Sequence, residues 1–170
     1  MTFTEGGLLV DIRFPLFLDL TDNNCTVIGG GDYASLCADM FLRFGAKVTV
    51  ISPHITPRLR ELEEQKRIRY IPRKFFRGDC ANAYLCVAAT DSETVNIAVS
   101  VECKSRGIPV NVKAPAAYGT FRMPSAVLCD DLVLAAYSEP KNRDALDNLR
   151  AYMETELPSV WQQAKDTAEQ

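Results

Sequence analysis

The run Cys25-Thr26-Val27-Ile28-Gly29-Gly30-Gly31-Asp32-Tyr33-Ala34 decides the fold. A short, largely β-branched strand ends in consecutive glycines, and the chain then opens into a helical pattern. Apolar residues recur at Tyr33, Leu36, Cys37, Met40, Phe41 and Phe44, the spacing of one helical face. Gly45 follows where a helix C-cap favours glycine, and Lys47 to Ile51 forms a second strand that ends before Pro53. Strand, glycine turn, helix and strand together leave a helix N-terminus open to an anion. Its first amides and its dipole can hold a pyrophosphate, and glycine lets the backbone approach it closely. The stretch predicts a nucleotide-binding α/β domain.

The same alternation continues outward. Phe14 to Leu20 is an apolar lead-in and Thr21 to Asn24 a turn. Thr56 to Lys66 reads as a helix with Pro57 in its first turn and Leu59 and Leu62 facing inward. Ile68 to Ile71 is a short strand, Phe75 to Ala83 a loop, and Tyr84 to Ala89 an apolar run suited to a strand buried on both faces. A helix then starts around Thr90-Asp91-Ser92-Glu93, stops at Gly107, and gives way to a strand over Ile108 to Val112. Residues 1–115 therefore predict a Rossmann-like, doubly wound parallel sheet that binds NAD(P). After Pro115 the period changes. Gly119 to Leu128 and Leu132 to Tyr137 read as an antiparallel pair, Asn142 to Leu157 as an amphipathic helix, and the rest to Gln170 as a frayed polar tail. Residues 116–170 form a second segment.

The chain has 170 residues, enough for one domain with an appendage, and a formal net charge of −3. That balance excludes nucleic-acid binding driven by net charge. No apolar run approaches the ~20 residues of a membrane helix. Met1 to Asp11 carries Glu5 and no basic n-region, so it does not read as a signal peptide, and the expected location is the cytoplasm. The six cysteines show no C-x-x-C spacing and His54 is the single histidine. They read as buried free thiols in a reducing compartment, with no metal site and no disulfide framework.

The candidate cofactor-binding residues are Gly29, Gly30, Gly31, Asp32 and Tyr33 at the turn, Ser52 and Pro53 after the second strand, and Thr90 and Asp91 after the fourth. An acidic residue usually ends the second strand and binds the ribose hydroxyls. Ser52 stands there instead and cannot chelate a diol. Arg58 and Arg60 follow closely, which leaves the phosphorylated cofactor, NADP, open. Asp91 suits a helix cap as well as a ligand contact. Asn111 and Lys113 leave the fifth strand at the same edge, and Arg122 and Ser125 come soon after. These are the candidate substrate-binding residues, with Arg73, Lys74 and Arg77 as further basic groups for an anionic substrate. Taken singly, each basic residue reads more readily as a solvated surface charge. His54 reads as a loop residue and Trp161 as an anchor for the C-terminal segment. No catalytic residue is evident.

Phe14-Pro15-Leu16-Phe17, Gly29-Gly30-Gly31-Asp32, Gly45 to Val50, Ala88-Ala89-Thr90-Asp91, Asn96, Asn111-Val112 and Phe121-Arg122-Met123-Pro124-Ser125 occur in a telling order. In that order the chain resembles the precorrin-2 dehydrogenase/sirohydrochlorin ferrochelatase family, the dehydrogenase-chelatase part of siroheme synthase, over residues 14–138. The resemblance implies an NAD-binding Rossmann domain, a homodimer formed through the region after it, and a polycarboxylate tetrapyrrole substrate that would give Lys113 and Arg122 a purpose. It implies NAD-dependent oxidation of precorrin-2 to sirohydrochlorin and, in some members, insertion of ferrous iron.

The chain also departs from the family pattern. The usual proton-transferring Asp after Asn111-Val112 is Ala114, and no Asp or Glu occurs between Glu102 and Asp130. An Arg-Lys pair of the first helix is Leu36-Cys37, and a Gly-Thr-Ser-Pro-like turn is Glu139-Pro140-Lys141-Asn142. A methyl group cannot take a pyrrole proton, so dehydrogenation is expected to outlast metal insertion. Two other readings stay open. One is a catalytically lapsed NAD(P)- or tetrapyrrole-binding module, acting as a sensor or partner subunit. The other is a Rossmann oxidoreductase of unrelated substrate.

Overall fold

The computed structural model describes residues 3–5, 8–10, 13–138 and 142–168. They form two compact units, Phe17–Arg122 and a unit built from Met1–Leu16 and Met123–Gln170. A short antiparallel hairpin, β1 (Phe3–Glu5) and β2 (Leu8–Val10), belongs to the second of these.

The unit Phe17–Arg122 begins with β3 (Asn24–Ile28), α1 (Asp32–Arg43), β4 (Lys47–Ile51), α2 (Pro57–Glu64) and β5 (Ile68–Ile71). It continues with β6 (Leu85–Ala88), α3 (Glu93–Ser105) and β7 (Val110–Val112). The strands form one parallel sheet in the order β5-β4-β3-β6-β7. Between β5 and β6 the chain crosses back over the sheet, so the direction of winding reverses between β3 and β6. Registers pair Ile28 with Ile51 and Ala88, and Ala88 with Val112. The carboxyl ends of the strands are thereby levelled into one edge, where this architecture carries its ligands. All residues of β6 and β7 are buried, which explains their near-continuous apolar sequence. Leu59 and Leu62 of α2 are completely buried, as their spacing predicted.

The connection between β5 and β6 has no regular structure but is tied down by charge. Both guanidinium Nη atoms of Arg73 donate to the Asp79 carboxylate at 2.7 Å, and the Phe76 amide donates to it as well. The Glu102 carboxylate on α3 accepts the amides of Gly78 and Cys80 at 2.8 and 3.1 Å. Five cysteines, all but Cys129, are buried as free thiols. Burial pushes Cys25 up to about 11 and Cys37 up to about 12.

After β7, a 3₁₀ turn over Ala116–Tyr118 leads to residues that remain bonded to the sheet. The Thr120 amide donates to the Val110 carbonyl, and the Val110 amide donates to the Thr120 hydroxyl. The Asn111 side chain donates to the Phe121 carbonyl. These bonds keep the chain with the sheet up to Arg122, past the Pro115 boundary read from the sequence. They also delay the next strand, β8, which runs Ser125–Cys129 rather than starting at Gly119.

β8 pairs antiparallel with β9 (Leu132–Ala136) across a turn in which Asp130 takes a φ of 51°. The last helix, α4, runs Arg143–Ala168 and contains Pro158. The frayed tail expected after Leu157 is therefore wrong. Trp161 Nε1 donates to Asp131 at 3.1 Å and Lys165 Nζ to Asp130 at 3.2 Å, so tertiary bonds hold a stretch of low apolar content in the helix. Of the Glu139-to-Asn142 turn, residues 139–141 lie outside the described residues. No helix among the described residues is long and apolar enough to cross a membrane.

Hydrogen bonds from Arg73 hold the Asp79 carboxyl below the usual carboxylate range. A depressed carboxylate contributes stability above its unfolded pKa, about 3.9, and loses it as pH falls further. Asp79→Asn is expected to lower Tm at pH 7. Its deficit relative to the native chain should shrink as thermal melts are moved from pH 6 toward pH 3.

Candidate functional site

The three glycines do different things. Gly29 has a φ of 125°, and a Cβ there would lie 2.5 Å from the Ala89 carbonyl oxygen. A Cβ on Gly30 would lie 2.0 Å from the His54 carbonyl oxygen and 2.8 Å from Ser52 Oγ. These two glycines allow the turn to press onto the loops after β6 and β4. A Cβ on Gly31 would meet nothing within 4 Å. Gly31 is the N-cap of α1 and supplies no side-chain cap, so the first amides of the helix are left to an external acceptor.

The turn is bolted from behind. Its carbonyls are taken: the Thr56 amide donates to Gly30 at 2.9 Å, and the Ser35 hydroxyl donates to Gly31 at 3.2 Å. Ser35 and Thr56 hydroxyls also bond each other at 2.6 Å, and Thr56 caps α2 by accepting the Leu59 amide. The Gly29 amide is engaged too, donating to the Ile51 carbonyl at 2.9 Å, so the amides left for a ligand are those of the first turn of α1. Asp32 is exposed in the first turn of α1, where its charge favours the same helix dipole that would attract a phosphate.

The remaining candidate residues divide sharply. Ser52 is buried and donates to the His54 carbonyl at 2.7 Å, so its proton is used internally and only acceptor capacity remains. Pro53 is exposed beside it, and its carbonyl accepts from the Tyr70 hydroxyl. Asn111 is buried; its Oδ1 accepts from the Tyr33 hydroxyl at 2.6 Å, and its amide holds Phe121. Tyr33 and Asn111 thus link the start of α1 to the end of β7. Lys113 Nζ pairs with Asp91 at 2.9 Å, with the Asp91 carboxylate almost fully exposed. Arg122 donates one Nη to the Ala116 carbonyl. Ser125 opens β8 in the other unit.

Asp91 does not cap α3. Ser92 is the N-cap, accepting the Val95 amide, so the cap lies one residue further on than the sequence reading placed it. Thr90 turns inward. Its amide and hydroxyl both donate to Asn96 Oδ1, at 3.1 and 2.7 Å. Asn96 Nδ2 in turn donates to the carbonyls of Thr90 and Ala114, at 3.0 and 2.8 Å. Asn96 is completely buried and stitches the two edge loops together. In the sequence Asn96 stands out only as one member of the family-like motif set. An asparagine inside an apolar helix face was the available signal, because a buried amide needs four partners.

The cations near β4 are also engaged. Arg58 is paired with Asp39 and Glu61, and Arg60 with Glu63 while its guanidinium lies over the Tyr70 ring. The hydrogen bonds that Arg58 donates to Asp39, and then to Glu61, raise its pKa further. Leu36 is exposed while Cys37 points into the core.

The family model described as "Putative NAD(P)-binding" matches residues 16–125, which span the whole parallel sheet and its edge. The chain belongs to this family of NAD(P)-binding proteins. Siroheme synthase from Methylobacillus flagellatus is 37% identical over 147 residues, which cover 86% of this chain and 32% of that protein. Siroheme synthase from Nitrosospira multiformis is 39% identical over 151 residues, again 86% of this chain and 32% of that protein. The chain thus spans about a third of the length of these relatives. A solved structure of SirC, precorrin-2 dehydrogenase, superposes with a TM-score of 0.72 at 24% identity, covering 88% of this chain and 76% of that one. It shares the fold: parallel sheet, antiparallel pair and C-terminal helix.

The family's cofactor fits the residues present. The open position at Gly31 and the uncapped start of α1 make a cradle for a pyrophosphate. Gly31→Ala should leave stability within about 1 kcal/mol of native, because its Cβ meets no protein atom, yet weaken NAD binding at least about tenfold. Gly30→Ala must displace the His54 loop and should cost about 1–3 kcal/mol or more. Isothermal titration with NAD, beside thermal melts of both variants, separates the two effects.

Proposed function

We propose that this chain oxidises precorrin-2 to sirohydrochlorin with NAD as hydride acceptor, and that it inserts metal poorly or not at all. The observation that carries the proposal is the uncapped, sterically open N-terminus of α1 at Gly31. Bound there, the dinucleotide supplies the hydride acceptor, and the chain's own residues bind and orient. The α1 amides hold the pyrophosphate. Gly29 and Gly30 keep the turn low, and Asn96 holds the Thr90 and Ala114 loops at the sheet edge.

The paired state of Arg58 and Arg60 supports NAD over NADP. A ribose phosphate would have to compete with Asp39, Glu61 and Glu63 for those guanidinium groups. Lys113 and Arg122 are the cations proposed to meet the substrate's carboxylates. Lys113 can exchange Asp91 for them at little cost, since exposed ion pairs are worth only about 0–1 kcal/mol. Asn111 completes the proposed substrate set by fixing Tyr33 and Phe121 rather than by an open amide.

Ala114 separates the two reactions. Oxidation passes a hydride to the dinucleotide and leaves one proton to be lost, whereas insertion of a divalent ion must remove two pyrrole protons. Relatives named siroheme synthase support the pathway, and a cytoplasmic location is proposed with it. The expected outcome is NAD bound at least about tenfold more tightly than NADP. NAD-dependent formation of sirohydrochlorin from precorrin-2 should be measurable by absorbance, and ferrous iron insertion should be slow. Ala114→Asp should raise insertion more than oxidation. Absence of NADH formation with saturating precorrin-2 would defeat the proposal.

The unit containing β8, β9 and α4 is proposed to form a homodimer. Val127, Leu134, Leu146, Leu149 and Met153 line an open apolar groove of about 140 Å³, and Tyr152 and Val160 are exposed on α4. Light scattering should return twice the chain mass, and Leu149→Arg should shift it to the monomer while NAD binding persists.

A further inference from the structure

Cys80, Cys86 and Cys103 converge although they are far apart in sequence. Cys80 comes from the β5–β6 connection, Cys86 from β6 and Cys103 from α3. All three are completely buried, and their sulfur atoms lie within 4.8 Å of one another, with Cys80 and Cys86 at 3.7 Å. The group sits among Val99, Ile108 and Val110, toward the amino end of β6 and away from the glycine edge.

Three small apolar fillers would account for the burial but not for the meeting of three sulfurs. A metal–sulfur bond of about 2.3 Å puts the sulfurs of a trigonal site about 4.0 Å apart, within the spacing present here. The group offers sulfur alone: no imidazole or carboxylate joins it among the described residues. Glu102, next to Cys103 in the chain, already accepts the amides of Gly78 and Cys80 and faces Arg106 at 3.8 Å. Soft donors in a trio, enclosed by apolar groups, select a soft ion content with three ligands. Zn²⁺ wants a fourth ligand.

We propose that Cys80, Cys86 and Cys103 form a three-thiolate site for a monovalent d¹⁰ ion, Cu(I), that pins the β5–β6 connection to β6 and α3. Binding displaces thiol protons to solvent and changes no oxidation state. The ion enters when the β5–β6 connection opens, since that segment alone among the three is outside regular structure and is held by polar contacts.

The test is titration of the reduced full chain with Cu(I) against a competing chelator, followed by X-ray absorption at the copper edge. The expected result is one Cu(I) per chain, a shell of three sulfurs, a raised Tm, and much weaker binding of Zn²⁺. Cys86→Val and Cys103→Ala should each lose at least roughly 100-fold in Cu(I) affinity, beyond the 10–100-fold that loss of an outer partner costs. Cys129→Ser should bind as the native chain does. Native-like NAD binding by the core variants shows that they are folded. No stoichiometric Cu(I) binding by the native chain would overturn the proposal. So would loss of binding in Cys129→Ser, or a preference for Zn²⁺ with a nitrogen or oxygen ligand in the shell.

Discussion

The close approach of the Gly29–Gly30 backbone to its neighbours is the constraint on which the nucleotide-binding unit rests. Carbonyl groups of Ala89 and His54 occupy the space where side chains would stand. Only because Cβ atoms are missing can the turn lie flat against the ends of β4 and β6. The strand registers level the carboxyl edge, and this contact seats the turn, with the start of α1, upon it. The chemistry of the site therefore follows from a packing requirement at two positions and an open space at a third. Polar bonds behind the turn, from Thr56 and Ser35, fix its orientation without touching the face that a ligand would use.

The sheet was legible because its signals are local. Glycines after a β-branched run, the apolar stretch through β6 and the stops at Gly45 and Gly107 each depend on a few adjacent residues. The N-terminal hairpin was not legible: its strands have three residues each, too few to show a period. The far half of α4 was missed because what holds it is tertiary. Trp161 and Lys165 reach back to the Asp130-Asp131 turn, and a proline lies within the helix. The site was legible to the same degree. Gly31 and the edge loops were found by position, whereas Ser52 and Asn111 carry polar groups that the fold turns inward. Sequence names a donor or acceptor but not its direction. Asn96, and the meeting of three cysteines, depend on which loops the topology brings together.

Charge tells a similar story at the surface. Arg58, Arg60, Arg73 and Lys113 each face a carboxylate, and Arg122 faces a backbone carbonyl. An anionic ligand at this edge meets cations that already have partners. Its binding is an exchange of one ion pair for another, so geometry rather than net charge must provide selectivity. The acidic balance of the whole chain points the same way.

Trp161, the single tryptophan of the chain, gives the molecule a built-in optical asymmetry. Its indole is bonded to Asp131 and stands beside Lys165, entirely within the unit of β8, β9 and α4. Indole emission therefore watches the seating of α4 on its hairpin, while the dinucleotide unit holds no tryptophan and is dark at that wavelength. When the chain melts or is diluted, the loosening of one unit can be followed by light without interference from the other.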